Sequence, residues 1–293
     1  MPRMNPPFKS VGLIGKYKSP EIAGPLLKLG DFLAQRGVKV LIDRLTASHI
    51  GATQYPVLTL EEIGREADLA VVLGGDGTML NIARTLAPFD VALVGVNQGR
   101  LGFLTDLSID TMFETIGTIL EGTYVTEDRM LLEAEVFSRD KSVFKVLALN
   151  EAVVSKGIKG SMIEFEVKID GKFLYTLRSD GLIVATPTGS TAYALSSGGP
   201  IMHPSLSAMA LVPVCPHTFS SRPIVISSDS VIEIIVSSAA DARAHFDSHS
   251  RFDLREQDRM VVRRYGDTIR LLHPVGHDYY NMLRAKLHWT ESY

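Results

Sequence analysis

The chain has 293 residues, of which 45% are hydrophobic and 22% are charged, a balance that is ordinary for a soluble protein with two domains or one large one. A net charge of -3 argues against a protein whose main ligand is a nucleic-acid backbone or an anionic membrane. The start of the chain lacks the apolar core of a signal peptide, and no apolar stretch approaches a membrane span of about 20 residues. The single cysteine, Cys215, excludes an intramolecular disulfide. We therefore expect a cytoplasmic protein.

The first third of the sequence alternates strand and helix signals. Residues 11–14 predict a buried strand, and Ser19 and Pro20 predict the start of a helix that ends near Gly37. The later elements of this region are, in order, a strand over 38–42, a short helix from Thr59, strands over 69–73 and 91–96, and a helix over 109–120. This alternation predicts a parallel sheet covered by helices, whose ligands bind at the carboxyl ends of the strands.

The most informative local pattern is a strand that runs into Gly74, Gly75, Asp76 and Gly77 and then into an apolar-periodic segment from Thr78. Glycines and the free N–H groups of a helix N-terminus suit a phosphate. Because a carboxylate beside phosphates is repelled unless it binds a metal or accepts a proton, Asp76 indicates chemistry within this phosphate loop. The loop has neither the Lys-Ser/Thr of a P-loop nor the G-x-G-x-x-G fingerprint. The alternative is a structural turn in which Asp76 only caps a helix.

A second polar segment, residues 97–103, follows the neighbouring strand and predicts a second wall of the same cleft. Beyond residue 120 the hydrophobic pattern changes to period two, and Asp170-Gly171 is a hairpin signal. The predicted strands of this region lie over residues 132–137, 163–169, 182–185, 224–226, 231–236, 259–264 and 268–272. Residues 278–287 return to helical spacing, and we expect this terminal helix to pack back on the first domain.

The predicted fold therefore has two domains. The first is a Rossmann-like α/β domain over residues 1–124, which contains the Gly-Gly-Asp-Gly loop and is joined by residues 275–293. The second is a mainly antiparallel β domain over residues 125–274.

Three further stretches combine polar side chains with turn residues. Asn150 and Glu151 follow a predicted strand and suit ribose hydroxyls, although the same pair is typical of an exposed turn. Residues 178–181 offer a donor and an acceptor for a base or an amide, or else form a surface turn with an ion pair. Residues 186–193, which continue to 198–200, crowd hydroxyls and a tyrosine around a glycine, which suits phosphate oxygens and a flat ring better than a mere connecting loop.

These motifs, in this order and at about this spacing, resemble the NAD kinases. The segments that carry the resemblance are Gly74 to Thr78, Asn150-Glu151, Arg178 to Gly181, Thr186 to Tyr193 and Gly198 to Pro200. The Gly-Gly-Asp-Gly loop alone also resembles phosphofructokinases and lipid kinases of the diacylglycerol type. The Thr-Pro-Thr-Gly-Ser-Thr-Ala-Tyr stretch is the specific part, and the resemblance covers nearly the whole chain.

The resemblance implies transfer of the γ-phosphoryl group of ATP, with a divalent metal such as Mg²⁺, to the 2′-hydroxyl of the adenosine ribose of NAD, giving NADP. It implies that Asp76 accepts the hydroxyl proton, that the site lies between the domains, and that the chain forms a homodimer or homotetramer through its β-rich half. The residues implied for substrate binding are Asp76, Gly77, Asn150, Glu151, Ser161, Arg178, Asp180, Thr191, Ala192, Tyr193, Leu195, Ser196 and His249. Ser161 and His249 depart from the family pattern, where a basic residue and a glutamine are common.

Two alternatives share part of the pattern. A kinase of a sugar phosphate or a lipid would share the Gly-Gly-Asp-Gly loop, but residues 186–193 and the lack of a membrane-binding segment argue against it. A non-catalytic dinucleotide sensor would keep the pocket, but a pure binder gains nothing from a carboxylate such as Asp76 near phosphates.

Overall fold

The computed structural model describes residues 8–51, 53–99, 101–157, 161–218, 220–238 and 241–289. The chain divides into two compact units. The first unit consists of Met1–Asp128 and Ile269–Tyr293, and the second unit is Arg129–Thr268. None of the helices in the described ranges is long and apolar enough to cross a membrane.

The first unit contains a parallel sheet with helices, as the alternating pattern predicts. The strands of the sheet are β1 (Ser10–Gly15), β2 (Lys39–Asp43), β3 (Val57–Leu58), β4 (Leu69–Leu73), β5 (Ala92–Asn97) and β6 (Leu107–Ser108). They lie in the order β5-β4-β1-β2-β3, with β6 beside β5. Strands β1, β4 and β5 are buried along most of their length, and their apolar side chains form the core with those of the helices.

The helices of this region begin and end where local side chains provide the hydrogen bonds. They are α1 (Ala23–Ala34), α2 (Arg44–Ile50), α3 (Leu60–Glu66), α4 (Asp76–Leu86) and α5 (Met112–Leu120). A capping box of Thr59 and Glu62 starts α3, which confirms its predicted start. Helix α2 was not predicted, and it begins because the Asp43 carboxylate accepts a bond from the Thr46 N–H. A short 3₁₀ turn at Pro20–Ile22 precedes α1.

The second unit is mainly antiparallel β, as predicted. Its elements up to the last strand are β7 (Val125–Ser138), β8 (Lys141–Ala148), β9 (Glu151–Lys156), β10 (Ile163–Ile169), β11 (Lys172–Ser179), β12 (Gly181–Ala185), α6 (Tyr193–Ser196), β13 (Ala208–Val214), β14 (Ile224–Ser227), β15 (Ile232–Ser238), β16 (Ala242–Phe246) and β17 (Ser250–Leu254). One sheet has the order β14-β13-β12-β9-β16-β17. In a second group, β10 pairs with β11 and β15, and β7 pairs with β8. The hairpin between β10 and β11 turns at Asp170 and Gly171, which have φ of 52° and 73° as a type I′ turn requires.

The chain ends with β18 (Arg259–His273) and α7 (Tyr279–Leu287). The sequence predicts two strands separated near Gly266, and this is wrong, because Gly266 does not adopt a positive φ and one strand continues through it. Leu271 of β18 pairs in parallel with Leu93 of β5. Helix α7 belongs to the first unit, which confirms the predicted return of the terminal helix, and Asp278 caps it by accepting from two backbone N–H groups.

Candidate functional site

The glycine loop leads from the end of β4 into α4. Gly75 is the N-cap residue and Asp76 is the first residue of the helix, two residues earlier than the sequence pattern predicts. A Cβ on Gly74 would lie 2.7 Å from the Thr78 hydroxyl oxygen, so the tight turn requires a glycine there. The first N–H groups of a helix have no intrahelical acceptor, and Gly75 and Gly77 are exposed beside them. This loop therefore presents an anion-binding helix end at the carboxyl edge of the sheet.

The Asp76 carboxylate is held by the segment that follows β5. Oδ2 accepts from the Phe103 N–H at 2.9 Å, while Oδ1 accepts from the Leu104 N–H at 3.0 Å and the Thr105 hydroxyl at 3.2 Å. Because Gly75 is the N-cap and these bonds go to another loop, Asp76 is not the capping residue that the structural alternative requires. A carboxylate has about four acceptor positions, so Oδ2 can still accept one more bond.

Gly102 permits this arrangement. A Cβ at this position would overlap the Asp76 carboxylate, and no side chain other than hydrogen leaves room for it. The predicted second wall of the cleft, residues 97–103, thus lies against Asp76, although Arg100 within it falls outside the described residues. Asn97 fixes the far side of the loop, since its amide donates to the carbonyl oxygens of Thr105 at 3.1 Å and Leu107 at 2.9 Å.

A cavity of about 320 Å³ lies in the second unit, on one face of strands β9 and β16. Val153 and His245 are partners in the two strands, so residues at alternate positions from them point to the same face. The cavity is lined by Glu151, Val153, Ser155, Tyr193, His245, Asp247 and Ser248. Two of the predicted binding residues, Glu151 and Tyr193, therefore lie at one cavity.

Asp247 organises the turn that precedes β9. Its carboxylate accepts from three consecutive backbone N–H groups, those of Leu149 at 2.7 Å, Asn150 at 2.8 Å and Glu151 at 3.1 Å. The side chain is buried, with the residue 2% exposed. These bonds set the direction in which Asn150 and Glu151 leave the turn. The sequence prediction missed Asp247, for which the only local signal is the tight turn between β16 and β17.

Glu151 is the most perturbed titratable group of the cavity. The residue is 5% exposed, and its Oε2 atom has no hydrogen-bond partner within the described chain. Burial, and next the negative charge of Asp247, raise the pKa of the Glu151 carboxyl to about 8. The group is therefore mostly protonated at neutral pH and can donate a hydrogen bond. An unpaired polar atom at this depth indicates a site that a ligand completes.

His245 also lines the cavity and was missed by the sequence prediction. Burial lowers the pKa of its imidazole, and the positive charges of Arg243 and Arg251 lower it further. The ring is neutral at physiological pH and offers one donor and one acceptor. A histidine on a strand without a motif around it carries no sequence signal for this role.

The predicted hydroxyl-rich stretch has a structural role at several positions. The Thr186 hydroxyl donates to the Leu149 carbonyl at 2.6 Å, and the Ser190 hydroxyl donates to the Pro187 carbonyl at 2.6 Å. Both residues are fully buried, so the expectation that these two hydroxyls bind phosphate oxygens is wrong. Gly189 lies against the Asn150 carbonyl, where a Cβ would overlap it. The stretch therefore packs on the Asn150 turn and positions Tyr193 at the cavity.

The remaining predicted residues lie on the second unit in different surroundings. The Asp180 carboxylate forms a 2.9 Å ion pair with the Lys156 ammonium group. His249 is exposed, and its Nδ1 lies 2.6 Å from the Asp247 carbonyl oxygen. The Thr191 hydroxyl donates to the Thr188 carbonyl at 3.2 Å. The other predicted residues do not line the cavity. Ala192, Leu195 and Ser196 are in or next to helix α6, and Arg178 and Ser161 are exposed.

Sequence models of one family match both parts of the chain. The model of the ATP-NAD kinase N-terminal domain matches residues 11–124, and that of the ATP-NAD kinase C-terminal domain matches residues 149–273. The NAD kinase of Nitrosomonas eutropha is 62% identical over 283 residues, which cover 97% of this chain and 96% of the relative. The NAD kinase of Nitrosospira multiformis is 60% identical over 287 residues, which cover 98% of each chain.

Solved structures are also similar to the chain. A yeast NADH kinase in complex with NADH has a TM-score of 0.90 and 25% identity, and the match covers 99% of this chain and 90% of that one. An NAD kinase from Archaeoglobus fulgidus in complex with ATP has a TM-score of 0.75 and 26% identity, and the match covers 96% of this chain and all of the other.

Proposed function

The chain belongs to the NAD kinase family, and we propose that Asp76 is the base of the phosphoryl transfer that it catalyses. The reaction transfers the γ-phosphoryl group of ATP to the 2′-hydroxyl of the adenosine ribose of NAD and gives NADP. The observation that supports the role of Asp76 is its orientation. Three donors hold the carboxylate at the phosphate loop and leave Oδ2 able to accept the hydroxyl proton.

The proposed step is a direct displacement. The 2′-hydroxyl gives its proton to Asp76 as its oxygen bonds to the γ-phosphorus, and the bond from that phosphorus to the bridging oxygen breaks, so that ADP leaves. The N–H groups at the start of α4, exposed beside Gly75 and Gly77, bind phosphate oxygens and stabilise the charge on them. The fixed carboxylate spares the enzyme the cost of orienting a free side chain.

A divalent cation such as Mg²⁺ fits this site as a companion of ATP. Mg²⁺ is usually bound by substrate phosphates together with water or one or two carboxylates, and the one acceptor position left on Asp76 is taken by the hydroxyl proton, so Asp76 is not assigned as a ligand. Among the described residues, the one cluster of three metal-ligating side chains does not include Asp76, so ATP phosphates would provide most of the ligands. When bound, the cation neutralises charge on the phosphates that react.

The cavity of the second unit provides the groups for the adenosine part of NAD. The protonated Glu151 carboxyl and the neutral His245 imidazole can each donate to a ribose hydroxyl or a ring nitrogen, while Tyr193 offers a flat apolar face. We assign Asn150 to the same ribose because the Asp247 carboxylate holds its backbone beside Glu151. Asp180, paired with Lys156, is assigned to a base or amide group. The other residues that the resemblance implies remain candidates for the same nucleotides.

The charge of the cavity also distinguishes this function from the phosphorylation of a sugar phosphate, because the described side chains that line it include no Lys or Arg and its Asp247 carboxylate is negative. A sugar phosphate carries a phosphate, which the negative Asp247 carboxylate repels and which a protonated carboxyl and a neutral imidazole bind weakly. An adenosine moiety has no charge of its own and suits these groups. The observation therefore favours a nucleoside acceptor over the sugar-phosphate alternative.

The chain is proposed to act as a cytoplasmic homodimer or homotetramer. The single cysteine, Cys215, is exposed and unpaired, which suits a reducing compartment. Strand β11 lies at the edge of its sheet, and Phe173 on it is 62% exposed. Because edge strands with apolar side chains are normally covered, we propose that residues 125–274 form the domain that binds the dinucleotide and assembles the oligomer.

A direct assay tests the proposal. The purified chain is mixed with ATP, Mg²⁺ and NAD, and NADP is detected with an NADP-specific dehydrogenase. We expect NADP to form at a rate that depends on all three additions. Consumption of ATP with a sugar phosphate or a diacylglycerol, in the absence of NADP formation with NAD, would exclude the proposed acceptor.

A further inference from the structure

A cluster of metal-ligating side chains lies in the first unit and has no part in the proposed reaction. It consists of Asp106, in the segment after β5, and of His273 and His277, on either side of the turn between β18 and α7. Their ligand atoms all lie within 4.8 Å of one another. We propose that Asp106, His273 and His277 form a binding site for a divalent transition metal of the Zn²⁺ class.

Both histidine nitrogens lie close to the same oxygen of Asp106. Asp106 Oδ2 lies 2.8 Å from His273 Nδ1 and 2.9 Å from His277 Nδ1. The two imidazole rings are stacked nearly parallel, with centroids 3.9 Å apart, so one ring must turn for the in-plane lone pairs of both nitrogens to meet at one ion. Zn²⁺ with bonds of about 2.0–2.1 Å and tetrahedral angles needs donor separations of about 3.3 Å. The two carboxylate–nitrogen pairs must therefore each open by about half an ångström, and the three donors, which all lie within 4.8 Å of one another, must rearrange around the ion.

A second carboxylate orients the His273 ring. His273 Nε2 lies 3.2 Å from Glu127 Oε2, which favours a proton on Nε2 and leaves Nδ1 to face Asp106. This carboxylate–histidine pair is the arrangement that usually stands behind a metal-bound imidazole. His273 is 1% exposed, so its orientation is fixed by packing as well.

Two buried atoms of the cluster have no partner. Asp106 Oδ1 and His277 Nε2 are both shielded from solvent without a hydrogen bond within the described chain. A cavity of about 400 Å³, lined by Asp106, His277 and residues of α7, adjoins them. A site with three protein ligands needs a fourth, and this cavity has room for a water molecule and a path for the ion.

The ligand types select the metal. Two imidazoles and one carboxylate suit Zn²⁺, Co²⁺ or Ni²⁺, whereas Mg²⁺ prefers oxygen ligands alone. The proposed ion is therefore chemically distinct from the cation that accompanies ATP. Because Asp106 directly follows the Thr105 residue that holds Asp76, and His277 precedes α7, the ion joins the C-terminal helix to the loop behind the phosphate site.

The test uses the whole chain in the absence of nucleotide. Metal-free protein is titrated with Co²⁺, and the visible absorption bands of tetrahedral Co²⁺ are expected to reach saturation at one ion per chain and to disappear when Zn²⁺ is added. Zn²⁺ is also expected to raise the melting temperature of the metal-free protein. If the wild-type chain gives no saturable one-to-one binding of either ion, the proposal is wrong.

Two variants and a matched control locate the site. His277→Asn removes one ligand and should abolish the tetrahedral bands. Glu127→Gln keeps all three ligands but weakens their orientation, so the affinity for Zn²⁺ should fall about 10- to 100-fold. His203→Asn changes a histidine of the second unit and should bind like the wild type. Circular dichroism verifies that each variant is folded. If His277→Asn is unfolded, the Zn²⁺ affinity of the more conservative Glu127→Gln tests the site. Unchanged affinity in folded Glu127→Gln and His277→Asn proteins would place the ion elsewhere and overturn the proposal.

Discussion

The replacement Asp76→Asn tests the proposed base most directly. The change removes the negative charge and the basicity of the side chain, and general-base catalysis of this kind contributes about 10²- to 10⁴-fold to a rate. We therefore expect kcat for NADP formation to fall by at least that factor. The affinity for NAD should change by less than about 1 kcal/mol, because an amide can still hydrogen-bond a ribose hydroxyl.

The structure adds a cost in stability to this prediction. Both carboxylate oxygens accept from N–H groups, Oδ2 from Phe103 and Oδ1 from Leu104, so the amide nitrogen of Asn must face one of these donors. The less costly orientation sets the nitrogen against Phe103, since Oδ1 also accepts from the Thr105 hydroxyl. One partly buried donor then lacks a partner, which costs up to about 1–3 kcal/mol of the free energy of unfolding.

A matched control separates the loss of the base from the loss of the hydrogen bonds that hold its carboxylate. Thr105→Val removes one of the three bonds to Asp76 but leaves the carboxylate in place, so it should lower stability by about 1 kcal/mol and kcat only a few-fold. The assay measures kcat and KM by coupling NADP to an NADP-specific dehydrogenase, and urea unfolding gives the stability. Near-normal turnover of a folded Asp76→Asn protein would refute the role of base. Turnover that is lost but recovers with rising Mg²⁺ would make Asp76 a metal ligand instead.

Three further predictions concern the second unit. The pKa of Glu151 is raised from its ordinary 4.5 to about 8, so Glu151 ionises at lower pH in the unfolded chain than in the folded one, and the wild type should lose stability as the pH rises between those values. Glu151→Gln should not show this loss. If urea unfolding from pH 5 to 8 gives the same pH dependence for both proteins, Glu151 is not buried as a neutral acid. Asp180→Ala should raise the KM for NAD more than it lowers kcat, and Lys156→Met, which removes only the partner of the ion pair, should have a smaller effect; an unchanged KM with a lower kcat would exclude a base-reading role. Sedimentation at micromolar concentration should show a species larger than 32.1 kDa, and the monomer alone would contradict the proposed oligomer.

Features whose physical cause is local could be predicted from the sequence. The capping box of Thr59 and Glu62 spans one helical turn, and the Asp170-Gly171 turn depends on two residues that tolerate positive φ. The glycine loop is predictable for the same reason. In each case the residues that form the feature are neighbours in the chain, so their order alone specifies the geometry.

The bonds that position the site could not be predicted in this way. Asp247 accepts from Asn150, which is 97 residues earlier in the chain, and no pattern around either residue indicates the pair. The raised pKa of Glu151 depends on that same carboxylate and on burial, both of which are properties of the folded sheet. Likewise, His273 and Asp106 are 167 residues apart. The sequence pattern assigns the hydroxyls of Thr186 and Ser190 to a ligand because it does not show the backbone carbonyls to which they donate.

The segment between β5 and β6 connects the two sites of the first unit, and its own bonds determine how strongly they are coupled. The Thr105 carbonyl accepts from the Gly102 N–H at 3.0 Å and from the Asn97 amide at 3.1 Å, so the loop is closed without any contribution from Asp106. Gly95 of β5 lies so close to the Leu104 carbonyl that a Cβ would overlap it, so the loop packs directly against the backbone of β5. Since these contacts hold the donors to Asp76 in place, removal of a metal from Asp106 should release α7 before it disturbs the carboxylate. A metal at this site therefore stabilises the fold of the first unit. Its removal should lower the melting temperature and leave kcat nearly unchanged.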